Sequence, residues 1–302
     1  MPTFASPAAR PWLVLGCGYT GERLVRRLLA AGARVTATRR DPEVAAATGA
    51  RLAAGIAAAA DRLELRAADT AAPDSVRAAC VRDAVVVHTA PPRDLESAAA
   101  EGRALAGALA TAGAHRLVYV SSTGVYAPAA GAWVDEDFPL DPAGHGVARL
   151  AAEGALLSTA HSLGLSAIAL RAAAIYGPGR GVAPRIRAGT YRIVGDGAAH
   201  VCRIHVEDLV TAIVAAGTID ASPHAIYNVA DDEPTTARDY ADAVAAALGM
   251  APPPSLPLGA FDPAAAVMLT ADRRIANGRL KRALGVALRY PSFRDSLAEE
   301  SP

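Results

Sequence analysis

The chain has 302 residues, with 30 basic and 30 acidic side chains, a formal net charge of +0 and 52% hydrophobic residues, many of them alanine. This length can bury a substantial core in one large or two modest domains. The charge balance excludes an electrostatic nucleic-acid or membrane surface, and no apolar run is long enough to span a bilayer. Residues 1–6 lack a charged segment leading into an apolar one, so the expectation is a cytoplasmic protein. Cys17, Cys80 and Cys202 are scattered, which supports neither a disulfide framework nor a metal site.

Through the first two-thirds, short β-branched runs alternate with Ala/Leu-rich stretches, the pattern of a parallel sheet covered on both faces. A predicted strand, Trp12–Leu15, runs into Gly16-Cys17-Gly18-Tyr19-Thr20-Gly21 and a helix over Thr20–Ala31 closed by Gly32. In this G-x-G-x-x-G pattern Gly16 permits the tight turn, Gly18 lets the backbone approach a pyrophosphate, and Gly21 allows close helix–strand packing. Tyr19 and Thr20 lead into the helix, whose free N–H groups and positive dipole end suit phosphates. Cys17 reads as a small residue tolerated by the loop or as a redox-sensing thiol.

The second strand, Arg34–Thr38, leads into Arg39-Arg40. An NAD site usually places an acid there for the ribose 2′-hydroxyl, whereas a basic side chain suits a 2′-phosphate. The pair therefore points to NADP rather than NAD, with solvated arginines as the alternative. Arg51–Asp61 has no clean period. After the third strand, Leu63–Ala67, Asp69 is placed to contact the adenine. A helix over Pro73–Val81 precedes the fourth strand, Ala84–Thr89, and Thr89-Ala90-Pro91 then passes beside the cofactor ribose and pyrophosphate. Helices Leu95–Ala112 and Val147–Leu163 alternate with strands Leu117–Ser121, Ser166–Arg171 and Ala225–Val229.

After Arg171 the alternation breaks at Gly177-Pro178-Gly179-Arg180-Gly181. The fold expected is α/β: a Rossmann-type doubly wound parallel sheet over 1–176 with 202–230 returning to it. Residues 177–201 and 231–302 form a small, discontinuous C-terminal substrate lobe. In that lobe Arg185, Arg187, Arg192 and His200 stand among aliphatics, which suits an anionic substrate or a solvated surface.

Several ordered segments resemble the extended short-chain dehydrogenase/reductases, the NAD-dependent epimerase/dehydratase family. They are the glycine loop, Leu117-Val118-Tyr119-Val120-Ser121-Ser122-Thr123-Gly124-Val125-Tyr126, Leu170-Arg171-Ala172-Ala173-Ala174-Ile175-Tyr176-Gly177-Pro178-Gly179, Arg203-Ile204-His205-Val206-Glu207-Asp208-Leu209, Tyr227-Asn228-Val229-Ala230-Asp231-Asp232-Glu233-Pro234 and Asn277–Gly285. The resemblance implies that Ser122 is the catalytic hydroxyl. It places Ser121 and the backbone after Arg171, including Ala174, along the nicotinamide pocket. His205 and Asp208 would hold the lobe on the sheet, and Tyr126 is a further candidate proton donor whose family counterpart usually shapes the pocket. Helices Leu95–Ala112 and Val147–Leu163 match faces through which many members form homodimers.

The chain departs from the family pattern at three places. Leu15 stands where extended members commonly have the first glycine. Val201 replaces an arginine that sugar-nucleotide members use for the substrate pyrophosphate, which weakens a nucleotide-sugar substrate. The catalytic Tyr and the Lys four residues later read His145 and Arg149. An imidazole titrating near neutrality is a competent general acid, but His145 lies between Gly144 and Gly146, where a loop histidine is the plain alternative. Arg149 is left to bind ribose hydroxyls or to pair with Glu153 one turn on. The expectation is an atypical NADP-binding oxidoreductase or epimerase/dehydratase-like enzyme acting on a small hydroxyl or carbonyl substrate. The other reading is a catalytically impaired dinucleotide-binding regulator or sensor.

Overall fold

The computed structural model describes residues 2–54, 61–262, 266–268 and 270–300. The strands that read as continuous apolar runs divide their residues between two faces, because successive side chains on a strand point in opposite directions. Trp12 and Val14 join one buried cluster, while Leu13 and Leu15 join the other. Val85 and Val87 against Val86, and Val118 and Val120 against Leu117 and Tyr119, divide the same way.

The central sheet comprises β1 (Trp12–Leu15), β2 (Val35–Arg39), β3 (Leu63–Ala67), β4 (Val85–His88), β5 (Arg116–Ser122), β6 (Ser166–Ala172) and β7 (Ile226–Val229). All neighbouring pairs are parallel, in the order β7-β6-β5-β4-β1-β2-β3. The strand order reverses at β1, which lies between β2 and β4. The crevice beyond the carboxyl ends of β1 and β4 is therefore the topological switch point where such sheets bind ligands.

Helices α1 (Tyr19–Ala30) and α6 (Val206–Thr218) cover one face; α4 (Leu95–Thr111) and α5 (Val147–Ser162) cover the other. Glycines let α6 close on β1 and α4 close on α5. A Cβ at Gly217 would meet the Trp12 ring at 2.3 Å, and one at Gly102 would meet the Ala152 carbonyl oxygen at 2.8 Å.

The sequence pattern gave no helix after β2, yet α2 (Pro42–Ala54) forms there, followed after β3 by α3 (Pro73–Ala79). Asp41 caps α2: its Oδ1 accepts from Glu43 N at 2.8 Å and Val44 N at 3.1 Å. Proline at the first helical position and an acid in the first turn complete the start signal. Within the aperiodic stretch Arg51–Asp61, Arg51–Ala54 closes α2, and 55–60 lies outside the described residues.

The segments after β6 are fastened to the sheet by buried polar contacts. Ala174–Tyr176 pairs in parallel with Arg203–His205, just before α6. At the start of α6 the Asp208 carboxylate accepts from Arg289 N at 2.7 Å and Tyr290 N at 2.9 Å, and the His205 ring lies 3.8 Å from that of Tyr290.

A second, larger network is centred on Arg171 of β6. Its guanidinium donates to Glu153 of α5 at 2.6 Å and to the Tyr126 hydroxyl at 2.9 Å. Tyr126 donates to Asn228 Oδ1 at 2.7 Å, and the Asn228 backbone N–H donates to Glu136 at 2.8 Å. Arg279 closes the chain onto Glu136 at 3.3 Å.

Among the described residues no helix is long and apolar enough to cross a membrane, and no group of three His, Cys, Asp or Glu side chains could hold a metal ion.

Breaking the buried Arg171–Glu153 pair on one side leaves an uncompensated guanidinium. Glu153→Ala is expected to cost about 3–5 kcal/mol in urea unfolding, with Glu153→Leu/Arg171→Met recovering most of it. A loss below about 1 kcal/mol would show that solvent reaches the arginine.

Candidate active site

β1 ends at Leu15, and Gly16 turns the chain with φ +90°, in the left-handed region that suits glycine. The turn presses on the segment after β4, since a Cβ at Gly16 would lie 3.1 Å from Ala90 N. Thr89 Oγ1 donates to the Gly16 carbonyl at 2.6 Å. At Gly21 a Cβ would sit 2.8 Å from the same carbonyl, so α1 reaches the loop only with glycine there. Cys17 is buried, and burial pushes its thiol up to about 12, which keeps it protonated and unreactive rather than a redox-sensing thiolate.

Above the loop opens a cleft of about 660 Å³. Gly16, Gly18, Tyr19 and Thr20 form one wall, with Thr89, Ala90 and Pro91 beside them. Arg39 stands at one end; Ser121, Ser122, Arg149 and Ala172–Ile175 line the other. Arg180 also borders it. No carboxylate lines the cleft among the described residues.

At the β2 end, Arg39 Nη2 donates to Glu22 at 3.3 Å, while its Nε is buried without a partner. Arg51 of α2 grips the same Glu22 with two bonds of 2.5 and 2.7 Å and, as the main cause, holds that carboxyl below its usual range. Arg40 is exposed and does not line the cleft. Asp69 is also outside the lining. Its carboxylate is taken by Arg93 and by Ala71 N at 3.0 Å, and Arg93 foremost holds it below the ordinary aspartate range.

At the β5–β6 end, Ser122 Oγ accepts from Gly124 N at 3.0 Å, capping a short turn, which leaves its hydroxyl proton free for a ligand. Ser121 Oγ is buried and unpartnered. Arg149, in the first turn of α5, donates to the Val120 carbonyl at 2.9 Å. The pairing considered between Arg149 and Glu153 does not form: Glu153 turns inward to Arg171 at 2.6 Å, because a buried guanidinium without its carboxylate is more costly than a half-buried one.

His145 is exposed and is not among the cleft-lining residues. Its neighbour Gly146 explains the placement. A Cβ on Gly146 would lie 2.2 Å from the Gly124 carbonyl, so Gly146 makes the close contact and His145 stays on the outside. Tyr126 is buried in the Arg171 network, and burial pushes its hydroxyl up to about 12.

Three residues outside the sequence-based site stand close to it. Arg51 joins Arg39 around Glu22, Arg180 borders the cleft, and His88 ends β4 with its ring stacked on Tyr119 at 5.4 Å. Burial first, and the Arg149 charge second, push His88 down to about 4, so the imidazole is neutral. Only Arg180 carried a local signal, as the charged residue of a Gly-Pro-Gly-Arg-Gly loop.

The arrangement fits a dinucleotide. A glycine cradle faces a helix N-terminus, and buried unpartnered polar atoms of Ser121 and Arg39 belong to residues at opposite ends of the cleft.

A doubly wound parallel sheet with this loop at its switch point defines a dinucleotide-binding α/β protein. The chain belongs to the NAD dependent epimerase/dehydratase family, whose profile matches residues 12–230. A 3-diazoavenalumate denitrifying reductase from a Streptomyces species is 35% identical over 322 residues, spanning 95% of this chain and 99% of that protein. A conserved protein from Silicibacter pomeroyi DSS is 30% identical, with a TM-score of 0.76 over 97% of this chain and 99% of its own. MoeE5, solved in complex with UDP-glucose and NAD, is 25% identical with a TM-score of 0.74, covering 96% of this chain and 97% of that one. The cofactor is a nucleotide of the NAD(P) kind.

His88 sets a pH dependence. Its folded pKa of about 4 lies below the ordinary histidine value of 6.5, so the unfolded chain binds the proton first as pH falls. Stability is expected to be intact above about pH 6.5 and to decline, by an amount on the order of 3 kcal/mol, towards pH 4. In His88→Phe, which keeps a ring against Tyr119, urea midpoints measured across that range should lose this slope. An unchanged slope would place the acid sensitivity elsewhere.

Proposed function

We propose that this chain is an NADP-dependent reductase that presents hydride to a substrate needing no proton from a side chain. One observation carries the reading. The nicotinamide end holds Ser121, Ser122 and Arg149, while His145 is exposed outside the lining and Tyr126 is buried in a structural network. No described cleft-lining residue at that end is placed to act as a general acid near neutral pH.

The 35% identical relative, named as a denitrifying reductase of a diazo compound, supplies a chemistry consistent with that site. Bound in the cleft, the reduced dinucleotide would supply a hydride; a diazonium-type carbon accepting it would gain a C–H bond as its C–N bond broke and that electron pair left with dinitrogen. A cation plus a hydride yields a neutral product, so no alkoxide awaits protonation.

The residues of this chain would bind and orient. Ser122 has a hydroxyl proton to donate, Ser121 Oγ is an unfilled polar contact, and Arg149 is positioned by the Val120 carbonyl to meet ribose hydroxyls. The same exposed His145 also favours a second reading, a dinucleotide-binding sensor without turnover.

NADP preference is proposed from Arg39 and Arg51, with Arg40 adjacent. A 2′-phosphate would compete with Glu22 for the two guanidinium forks.

The enzyme reading predicts NADPH oxidation with release of dinitrogen from an aryl diazo carboxylate, with deuterium from 4-deuterated NADPH appearing on carbon. His145→Ala should keep its rate within about threefold, whereas loss of a true general acid costs about a hundredfold or more. A large loss in His145→Ala would overturn the acid-free mechanism. Tight NADPH binding without turnover across diazo and carbonyl compounds would favour the sensor.

For the cofactor, Arg39→Ala should weaken NADPH about tenfold or more and leave NADH nearly unchanged, read by nucleotide fluorescence. Equal losses for both nucleotides would remove the NADP preference.

A further inference from the structure

We propose that Arg180 is a second anion-binding group for the dinucleotide pyrophosphate, brought to the phosphate end of the cleft by a loop bolted to α1. The proposal rests on the cleft holding a dinucleotide, not on its being NADP or on turnover.

The loop is closed on itself. Gly177 N donates to the Arg180 carbonyl at 3.3 Å and Arg180 N returns to the Gly177 carbonyl at 2.8 Å. It is also fastened to the first turns of α1, where the Pro178 carbonyl accepts from the Tyr19 hydroxyl at 3.2 Å and from Arg23 Nη2 at 3.2 Å. Gly177 has φ +140°, and a Cβ there would lie 3.0 Å from Tyr19 Oη and 3.1 Å from His205 Nε2. The loop therefore has little freedom to sit elsewhere.

These contacts place the Arg180 guanidinium 5.2 Å from the Tyr19 ring centroid, at the border of the cleft. Tyr19 is the first residue of α1, immediately after Gly18, where the helix N–H groups and dipole meet phosphate.

Charge pairing separates Arg180 from Arg23 and Arg39, while Arg149, at the other end of the cleft, is held by the Val120 carbonyl. Arg23 lies 3.8 Å from Glu207, and Arg39 lies 3.3 Å from Glu22. Arg180 has no carboxylate within ion-pair distance among the described residues, and no carboxylate lines the cleft. A cation without an internal counter-ion, beside the first residue of α1 at the border of the cleft, suits a ligand carrying negative charge at that point. A planar guanidinium matches phosphate oxygens with two parallel donors.

The test uses the full-length protein and four ligands: NADPH, NADH, ADP-ribose, which keeps the pyrophosphate, and adenosine 2′-monophosphate, which lacks it. In Arg180→Ala the Kd for NADPH, NADH and ADP-ribose should each rise about tenfold or more, with adenosine 2′-monophosphate unchanged. Arg180→Lys should fall between, since the charge remains and the fork is lost. Tyr19→Phe, which removes a donor to Pro178 but keeps the ring, should weaken the same three ligands less than Arg180→Ala does.

Arg180 is exposed, and unchanged thermal unfolding of its variants would confirm that the fold is intact. Three outcomes would overturn the proposal: Kd values within about twofold of the native protein, an equal loss for adenosine 2′-monophosphate, or a change confined to the KM of a substrate. Failure of the dinucleotide reading itself would show separately, as no binding of any of the four by the native protein.

Discussion

The buried Arg171–Glu153 pair is the contact on which the site depends. It ties β6 to α5 at a point where neither charge meets water, and both partners are almost wholly buried. Arg149 lies one helical turn before Glu153, so the pair that anchors α5 also sets how far Arg149 reaches towards the Val120 carbonyl and the cleft. The start of the helix is fixed separately by the close approach of Gly146 to the Gly124 carbonyl. The same guanidinium holds the Tyr126 hydroxyl, and through Asn228 and Glu136 the constraint extends to Arg279 near the end of the chain. A charged pair of this kind adds little net stability relative to an apolar one, but removing one member is costly, so it specifies geometry.

The cleft is electrically one-sided. Arg39, Arg149 and Arg180 border it, and the nearby acids are engaged elsewhere: Glu22 with Arg39 and Arg51, Asp69 with Arg93, Glu153 with Arg171. Such a cleft is prepared for a polyanion, as a dinucleotide is, before any question of reaction arises. The reaction question turns on the other end, where the described polar lining residues are hydroxyl donors and a guanidinium and where we propose that no side chain donates a proton. Binding and proton transfer are thus separable demands in this fold. The first needs a glycine turn, a helix end and positive charge; the second needs one acid at one place.

The strands, the glycine loop and the two covering layers were legible in the chain because they follow from local periodicity, whereas the order of the strands was set only by their pairing. Alternating apolar runs and G-x-G-x-x-G after a strand need no distant partner to be recognised. Helix α2 was not read because Pro42–Ala54 is rich in alanine and weak in periodicity; its capping aspartate, Asp41, was the available signal. Arg51 was missed with it, since a helix must exist before its last turn can be placed against Glu22. Asp69 and Arg40 were placed by analogy of position, and the structure turns Asp69 to Arg93 and leaves Arg40 exposed.

By itself the sequence determined the sheet and the cofactor loop and put His145 and Arg149 where the family resemblance expects Tyr and Lys, because each is written in neighbouring residues. Only the tertiary structure decided where those two side chains went. His145 stays outside because Gly146 takes the contact with Gly124, and Arg149 turns to Val120 because Glu153 is claimed by a buried arginine 18 residues further on. Arg180 reaches the phosphate end because its loop is bonded to a helix 155–159 residues earlier in the chain. Those choices depend on which groups compete for the same partner in three dimensions, and competition between distant residues leaves no mark on local spacing.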